Sequence, residues 1–344
     1  MVLNAEPRDN LPALIRALEE YTYMEKHAES KIPTYRIDTH RHLGGSIPYQ
    51  YIWKTIDKMG GHHIATDEID TYCQMVCHDS DVRDFQTFLA KFTILDLIPW
   101  SEELIDSSIK AICDELEKDR LDYTWMDFSI NKYMSIGWTK TEAIKFIHES
   151  FQRHRPNKVG LLLSIKYESE RDKQNVYSEL IQDTEVRDRL IGIDLVGDEN
   201  MFDPHFHSRL LEVWKDSNKI VRAHVGEVGP ARNIRAAIEA GVTNIAHGIN
   251  IHQEADLIKR AIDADISFDL GLTSNLVTGV AQADSHPLPL MIYDGLSITI
   301  GTDDPVICST NLDTEFALCK KLGAMDIHLD KMRENAFNRS KNLI

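Results

Sequence analysis

Residues 35–46 read YRIDTHRHLGGS, an extended run with two histidines two apart at its end and a pair of glycines behind them. Side chains alternate along a strand, so His40 and His42 point to the same side. The turn after these histidines decides between two architectures. An open nucleotide-binding sheet needs a G-x-G-x-x-G turn after its first strand, and His42-Leu43-Gly44-Gly45-Ser46 lacks that spacing. Further along, short apolar runs rich in β-branched residues recur at 122–129, 159–165, 190–197, 220–227, 244–250, 266–272 and 297–303, separated by stretches with helical periodicity. Together with 35–42 they supply the eight strands of a closed α/β barrel of the (β/α)8, or TIM, type.

A length of 344 residues suits one such barrel, so 1–344 reads as a single domain, with 1–34 as an N-terminal helical extension whose helix spans 11–29. About eighty residues separate the first two runs, far more than one crossover helix takes, which predicts extra helices inserted after the first strand. In that insertion Phe85, Phe88, Leu89 and Phe92 recur at helical spacing beside Trp100. They form either packing for the barrel rim or a lid over an aromatic substrate.

Hydrophobic residues make up 42% and charged residues 27%, enough for a large core and too balanced for disorder. The net charge of -17, with no run of Lys and Arg longer than a pair, argues against a protein that tracks along nucleic acid. Five cysteines are too few and too odd for a secreted disulfide framework. Cys73, Cys77 and His78 hint at metal but lack a second pair to complete a tetrahedral site. No apolar N-terminal segment and no run of 18 apolar residues supports a signal peptide or a membrane span, so the expected compartment is the cytoplasm.

The predicted fifth strand ends in His224-Val225-Gly226-Glu227, the sixth carries His247-Gly248, and the eighth ends in Thr302-Asp303-Asp304-Pro305. His40, His42, His224, His247 and Asp303 therefore all fall at the C-terminal ends of barrel strands, where active sites of this fold are built. A second H-x-H pair, His205 and His207, follows Asp203-Pro204 at a helix start, where residues two apart share no face, and reads as surface. Three imidazoles from the strand-end set plus one carboxylate suit zinc, with bonds of about 2.0–2.2 Å and a position left for water. Such an ion lowers the pKa of water towards about 7, which points to a hydrolase.

These residues sit in a run of motifs, His40-Arg41-His42-Leu43, Asp194-Leu195-Val196-Gly197-Asp198-Glu199, His224-Val225-Gly226-Glu227, Ala246-His247-Gly248, Ser274-Asn275, His286-Pro287 and Thr302-Asp303-Asp304-Pro305. In kind and order they resemble the adenosine deaminase branch of the amidohydrolase superfamily, over nearly the whole chain from the first strand onwards. The resemblance implies a single zinc ion held by His40, His42, His224 and Asp303. It makes Glu227 the acid that protonates purine N1, and His247 the residue that takes up a proton from the attacking water and orients the resulting hydroxide. Asp304 becomes the contact to N7 and Gly197 the backbone donor to N3. Phe88-Leu89-Ala90-Lys91-Phe92 resembles the helix that closes over the purine. The implied activity is hydrolytic deamination of an adenine-type nucleoside or nucleotide to the inosine counterpart and ammonia. Its partner is a small-molecule purine, not nucleic acid or a membrane.

Two departures qualify the resemblance. Gly44 replaces the Asp that the family usually places after His-Leu near the ribose, which either leaves the sugar to another residue or admits a 5'-phosphate such as that of AMP or ATP. The second predicted strand carries Asp127 where a basic residue is common, while Arg222 stands two before His224, so Arg222 is expected to pair with Asp127 or Asp194 inside the barrel. No Lys ends the fourth predicted strand, against a carbamylated lysine bridging two metals. Alternatives that stay open are a deaminase domain of a larger nucleotide-signalling or defence protein, a deaminase of free adenine or a modified purine, and a catalytically silent nucleotide-binding module.

Overall fold

Parallel strands in sequential order build the architecture: β1 Ile37–His42, β2 Tyr123–Phe128, β3 Val159–Lys166, β4 Gly192–Val196, β5 Ile220–Val225, β6 Asn244–His247, β7 Ser267–Leu270 and β8 Ser297–Ile300. The structure, a computed structural model, describes residues 35–58, 85–167, 177, 179–180, 182–203, 211–212, 214 and 219–343. The expected helix over 11–29 and the residues Cys73, Cys77, His78, His205 and His207 lie outside the described residues. Within them no helix is long and apolar enough to cross a membrane. Cys113, Cys308 and Cys319 are buried free thiols.

Each strand pairs in parallel with the next, and the ring closes where β8 returns to β1. There the backbone N–H of His42 donates to Asp303 O at 2.8 Å and that of Asp303 to His40 O at 2.7 Å. Most of the predicted runs overshoot their strands at the C-terminal end: β5 stops at Val225, β6 at His247 and β8 at Ile300. The reason is local. Gly226, His247, Gly248 and Asp303 adopt φ of 68°, 63°, 63° and 58°, left-handed values that end an extended ladder. The chain therefore leaves the barrel wall at the residues that carry chemistry.

Helices cover the wall for reasons visible in the sequence. In Glu102–Lys118, Ser101 caps the N-terminus by accepting from Leu104 N, Glu102 and Glu103 favour the positive end of the helix dipole, and Ile105, Ile109, Ile112 and Leu116 repeat on one buried face. Lys140–His154 opens with a capping box between Thr139 and Glu142. At the N-terminal end of the barrel, Ile37, Tyr123, Trp125, Leu162 and Ile220 form an apolar plug with Ala336 of the last helix, Asp326–Ser340. Trp125 Nε1 donates to Ser340 Oγ at 3.0 Å, which satisfies the indole that this burial would otherwise strand. The opposite end of the interior is polar and holds the site.

Gly301 stands at the closure. A Cβ there would lie 2.5–2.6 Å from His40 N, O and Cβ, closer than atoms pack. Gly301→Ala is expected to destabilise the fold by about 1–3 kcal/mol, the usual cost of overpacking, and to lower Tm by a few degrees in scanning calorimetry. An unchanged Tm would mean that the β8–β1 seam has slack.

Candidate active site

One ligand atom from each of His40, His42, His224 and Asp303 lies within 4.8 Å of all the others. Four of the pairs are short: His40 Nε2 to His224 Nε2 is 3.1 Å, His42 Nε2 to His224 Nε2 is 3.3 Å, and Asp303 Oδ1 is 3.4 Å from His40 Nε2 and 3.1 Å from His42 Nε2. Bonds of about 2.1 Å to one ion would separate ligand atoms by about 3.0 Å at right angles and about 3.4 Å at the tetrahedral angle.

The hydrogen-bond partners fix what these atoms offer. His40 Nδ1 donates to the carbonyl of Asp269 at 3.1 Å, and His224 Nδ1 donates to Asp194 Oδ1 at 3.2 Å. Both rings then turn an Nε2 lone pair inwards, and two lone pairs facing at 3.1 Å repel unless a cation lies between them. The donor set therefore fits a divalent metal. Burial alone would lower the pKa of His42, but the carboxylates of Asp303, Asp304 and Asp127 outweigh it and raise it to about 10. Positive charge is welcome at this point.

Beneath the ligands lies Arg222, fully buried, bonded to Asp127, to Asp194 Oδ2, to Asp269 Oδ2 and to Thr39 O. It pairs with both aspartates expected from the sequence and with a third. Burial pushes Asp127 well up despite Arg222, whereas Arg222 and His224 overcome burial at Asp194 and keep it ionised. Asp194 thus holds the His224 ring as a charged acceptor. Arg41, buried on the other side of β1, donates to Ser46 Oγ at 3.1 Å and reaches Asp119 at 3.7 Å, tying the 44–46 turn to the end of a wall helix.

Glu227 and His247 border the ligand set, with His247 Nε2 3.7 Å from Glu227 Oε1 and 3.6 Å from Asp303 Oδ2. Burial, then the negative charges of Asp303 and Glu199, hold the Glu227 carboxyl well above the usual carboxylate range. Burial lowers the pKa of His247 to about 3, which leaves it neutral. In the sequence Glu199 is no more than the last residue of a motif. In the structure its carboxylate accepts from the backbone N–H groups of Gly226, Glu227, Val228 and Gly229 and from Asn233 Nδ2, and so clamps the loop that carries Glu227.

Asp304 is buried, and its Oδ1 finds no hydrogen-bond partner among the described residues. Burial and the charge of Asp303 raise its pKa to about 8. Gly45 is required beside it, since a Cβ there would meet Asp304 Oδ1 at 1.8 Å. Gly44 is different: a Cβ would sit 3.6 Å from Leu95 and 3.8 Å from Phe92, ordinary contacts. Phe88 packs with Phe92, ring centroids 5.7 Å apart, and both join Val277 and, just beyond Asp304 in sequence, Ile307 and Cys308. Phe85 and Leu89 belong to no core cluster among the described residues, and Leu89 is 42% exposed. Gly197, at φ 108°, is solvent-exposed past the end of β4. Sequence reasoning missed Asp269 and Gly45, whose importance lies in contacts between segments distant in the chain.

Comparison with known proteins places this geometry. The family model described as adenosine deaminase matches residues 36–341. The adenosine deaminase of Shewanella denitrificans is 25% identical over 320 residues, covering 87% of this chain and 92% of its own length. Among solved structures, a Burkholderia ambifaria amidohydrolase with bound Zn is similar, with TM-score 0.77 at 17% identity, covering 91% of this chain and 90% of that one. The N6-methyl-AMP deaminase of Arabidopsis thaliana gives 0.74 at 19%, covering 89% and 91%. At these identities the two structures speak for the fold.

Asp303→Ala is expected to strip the metal, taking it from about one equivalent per chain to a small fraction, and Asp194→Asn to weaken its retention by about 10–100-fold against a chelator. Elemental analysis decides. A full equivalent retained by Asp303→Ala would remove that residue from the ligand set.

Proposed function

Because the chain belongs to the adenosine deaminase family, and so to the hydrolases that act on C–N bonds, we propose that it is a zinc enzyme that converts an adenine-type nucleoside or nucleotide to its inosine counterpart and ammonia. The observation that carries this reading is a buried carboxyl, Glu227, held well above the usual carboxylate range beside a set of three imidazoles and a carboxylate. A metal-binding module without catalysis has no use for a carboxyl so placed.

His40, His42, His224 and Asp303 would hold the ion, which when bound supplies Lewis acidity and a nucleophile at neutral pH. The chain's own residues do the rest. Attack of water on C6 breaks aromatic resonance and drives electron density onto N1, where the Glu227 proton neutralises it. His247 borders the path of the attacking water. Asp304, with its raised pKa, can offer its proton to N7, an acceptor, and the backbone N–H of Gly197 is assigned to N3. Phe88 and Phe92, packed on Val277, Ile307 and Cys308, form an apolar wall suited to a purine face and exclude water. The C6 nitrogen leaves as ammonia once the proton released by the attacking water reaches it.

A second reading concerns the substrate's 5' end. Gly44 brings no carboxylate to a position with room for one, and the similarity to an enzyme named for N6-methyl-AMP supports a nucleotide. An Asp at this position would face a phosphate of about -1.5 to -2 charge, and like charges in a partly desolvated pocket cost several kcal/mol.

Glu227→Gln is expected to keep its metal and substrate binding while turnover falls at least about a hundredfold, the scale of a lost general acid. Loss of metal from this variant would contradict its place as proton donor. For the 5' end, kcat/KM for AMP is expected to exceed that for adenosine, and Gly44→Asp to reverse the order. A tenfold preference for adenosine that Gly44→Asp leaves unmoved would end the phosphate reading.

A further inference from the structure

Two of the motifs, Ser274-Asn275 and His286-Pro287, contribute nothing to the ligand set, yet in the structure they stand in single file behind His247. The backbone N–H of Leu288 donates to His286 Nδ1 at 3.1 Å, His286 Nε2 faces Asn275 Oδ1 at 3.4 Å, and Asn275 Nδ2 faces His247 Nδ1 at 2.9 Å. All three side chains are buried, so each polar atom must be satisfied within the file.

The direction of these bonds follows from their first member. A backbone N–H can only donate, so His286 Nδ1 accepts and the ring's proton sits on Nε2. That proton needs an acceptor, and the Asn275 carbonyl oxygen is the one it meets. The amide is thereby oriented, and its NH2 group is turned to His247 Nδ1, which must accept in its turn. An imidazole that accepts at Nδ1 carries its single proton on Nε2, the atom that faces Glu227 and Asp303.

The scaffold holds this file rigidly. Asn275 lies in the helix Leu272–Val277, whose first N–H groups, Leu272 N and Thr273 N, donate to the buried carboxylate of Glu315 at 2.8 and 3.2 Å. Its own backbone bonds Gly271 O and Ala281 N, each at 3.0 Å. His247 is held in a left-handed conformation that a histidine rarely takes, which sets the ring against Asn275.

We propose that Asn275 and His286 are positioning residues that lock His247 in its Nε2–H tautomer, so that it meets the attacking water as a hydrogen-bond donor instead of taking up a proton from it. The proton that water releases then falls to a carboxylate in reach, Asp303 or Glu227 after the latter has served N1. The consequence for turnover rests on the deaminase reading; the tautomer does not.

Two-bond ¹H–¹⁵N correlation spectra of the metal-loaded protein, ¹⁵N-labelled at histidine, read the tautomer directly, with His247→Asn and His286→Asn supplying the assignments. His247 and His286 are expected each to show a protonated Nε2 and a bare Nδ1. Asn275→Asp replaces the donor by an acceptor and is expected to move the His247 proton to Nδ1 and to lower kcat on AMP or adenosine by at least about a hundredfold, with KM within about threefold; a wrong tautomer costs about 10⁴ in a serine protease triad. His286→Gln, which can place an amide N–H where Nε2–H stood, is expected to keep the tautomer and kcat within about fivefold. A wild-type His247 protonated at Nδ1 would overturn the proposal, and so would an Asn275→Asp enzyme that inverts the tautomer without loss of kcat. Absence of turnover on every adenine compound would defeat the deaminase reading and leave the tautomer to the spectra. Should Asn275→Asp fail to fold, the wild-type spectrum decides.

Discussion

One buried guanidinium carries the upper half of the barrel. Arg222 is fully buried and meets the carboxylates of Asp127, Asp194 and Asp269 together with the carbonyl of Thr39, so that β1, β2, β4, β5 and β7 converge on a single side chain. At an effective dielectric constant of about 20, a pair of unit charges about 3 Å apart attracts by about 5 kcal/mol, comparable with the several kcal/mol that each ion loses on leaving water. The cluster holds because one cation serves three acids, and burial holds the pKa of one of them, Asp127, well above the usual carboxylate range despite that cation. Take the guanidinium away and buried carboxylates are left uncompensated, a penalty of about 3–5 kcal/mol.

The geometry above this cluster inherits its order. Asp194, ionised by Arg222, holds His224, and the Asp269 carbonyl holds His40, so the orientation of two ligand rings is set from beneath. Asp269 also receives Asn244, Ser267 and Thr299, which spreads its charge over neutral donors in β6, β7 and β8. The residues just past the strand ends are fixed by other means. Glu199 gathers four consecutive backbone N–H groups around Glu227, and left-handed φ values at His247 and Asp303 aim these side chains inwards at a cost of about 1–3 kcal/mol each. The site is buried, pre-oriented and rich in acids, and that combination holds the Glu227 carboxyl well above the usual carboxylate range.

Nearly all of this lies on one face of the fold. The apolar plug around Trp125 closes the opposite end, leaving the polar interior to open only towards the loops, where Phe88 and Phe92 pack over Val277, Ile307 and Cys308. An apolar wall against a purine and a charged floor beneath it divide recognition from chemistry. The proposed choice between nucleoside and nucleotide lies at Gly44, in the turn after β1 and against Phe92 of that wall.

The eight-stranded barrel and the strand-end positions of His40, His42, His224, Asp303, Glu227 and Asp304 are legible in the sequence alone, because strand period, strand count and motif order are local properties that survive without a third dimension. The strand ends read too long there, since Gly226, His247 and Asp303 turn left-handed, a conformation that glycine adopts freely and that the surrounding fold must hold in the histidine and the aspartate. The apolar spacing of Phe85, Phe88, Leu89 and Phe92 is visible, but only packing separates Phe88 and Phe92, which join the cluster, from Leu89, which faces solvent. Asp127 and Arg222 are recognisable as partners from the burial that their strands impose; that Asp269 completes the set is not, as it lies 47 residues from Arg222. The same holds for Glu199, Gly45 and the file from Leu288 to His247. Hydrogen-bond direction and charge balance are properties of groups brought together, and the closed barrel alone brings these together.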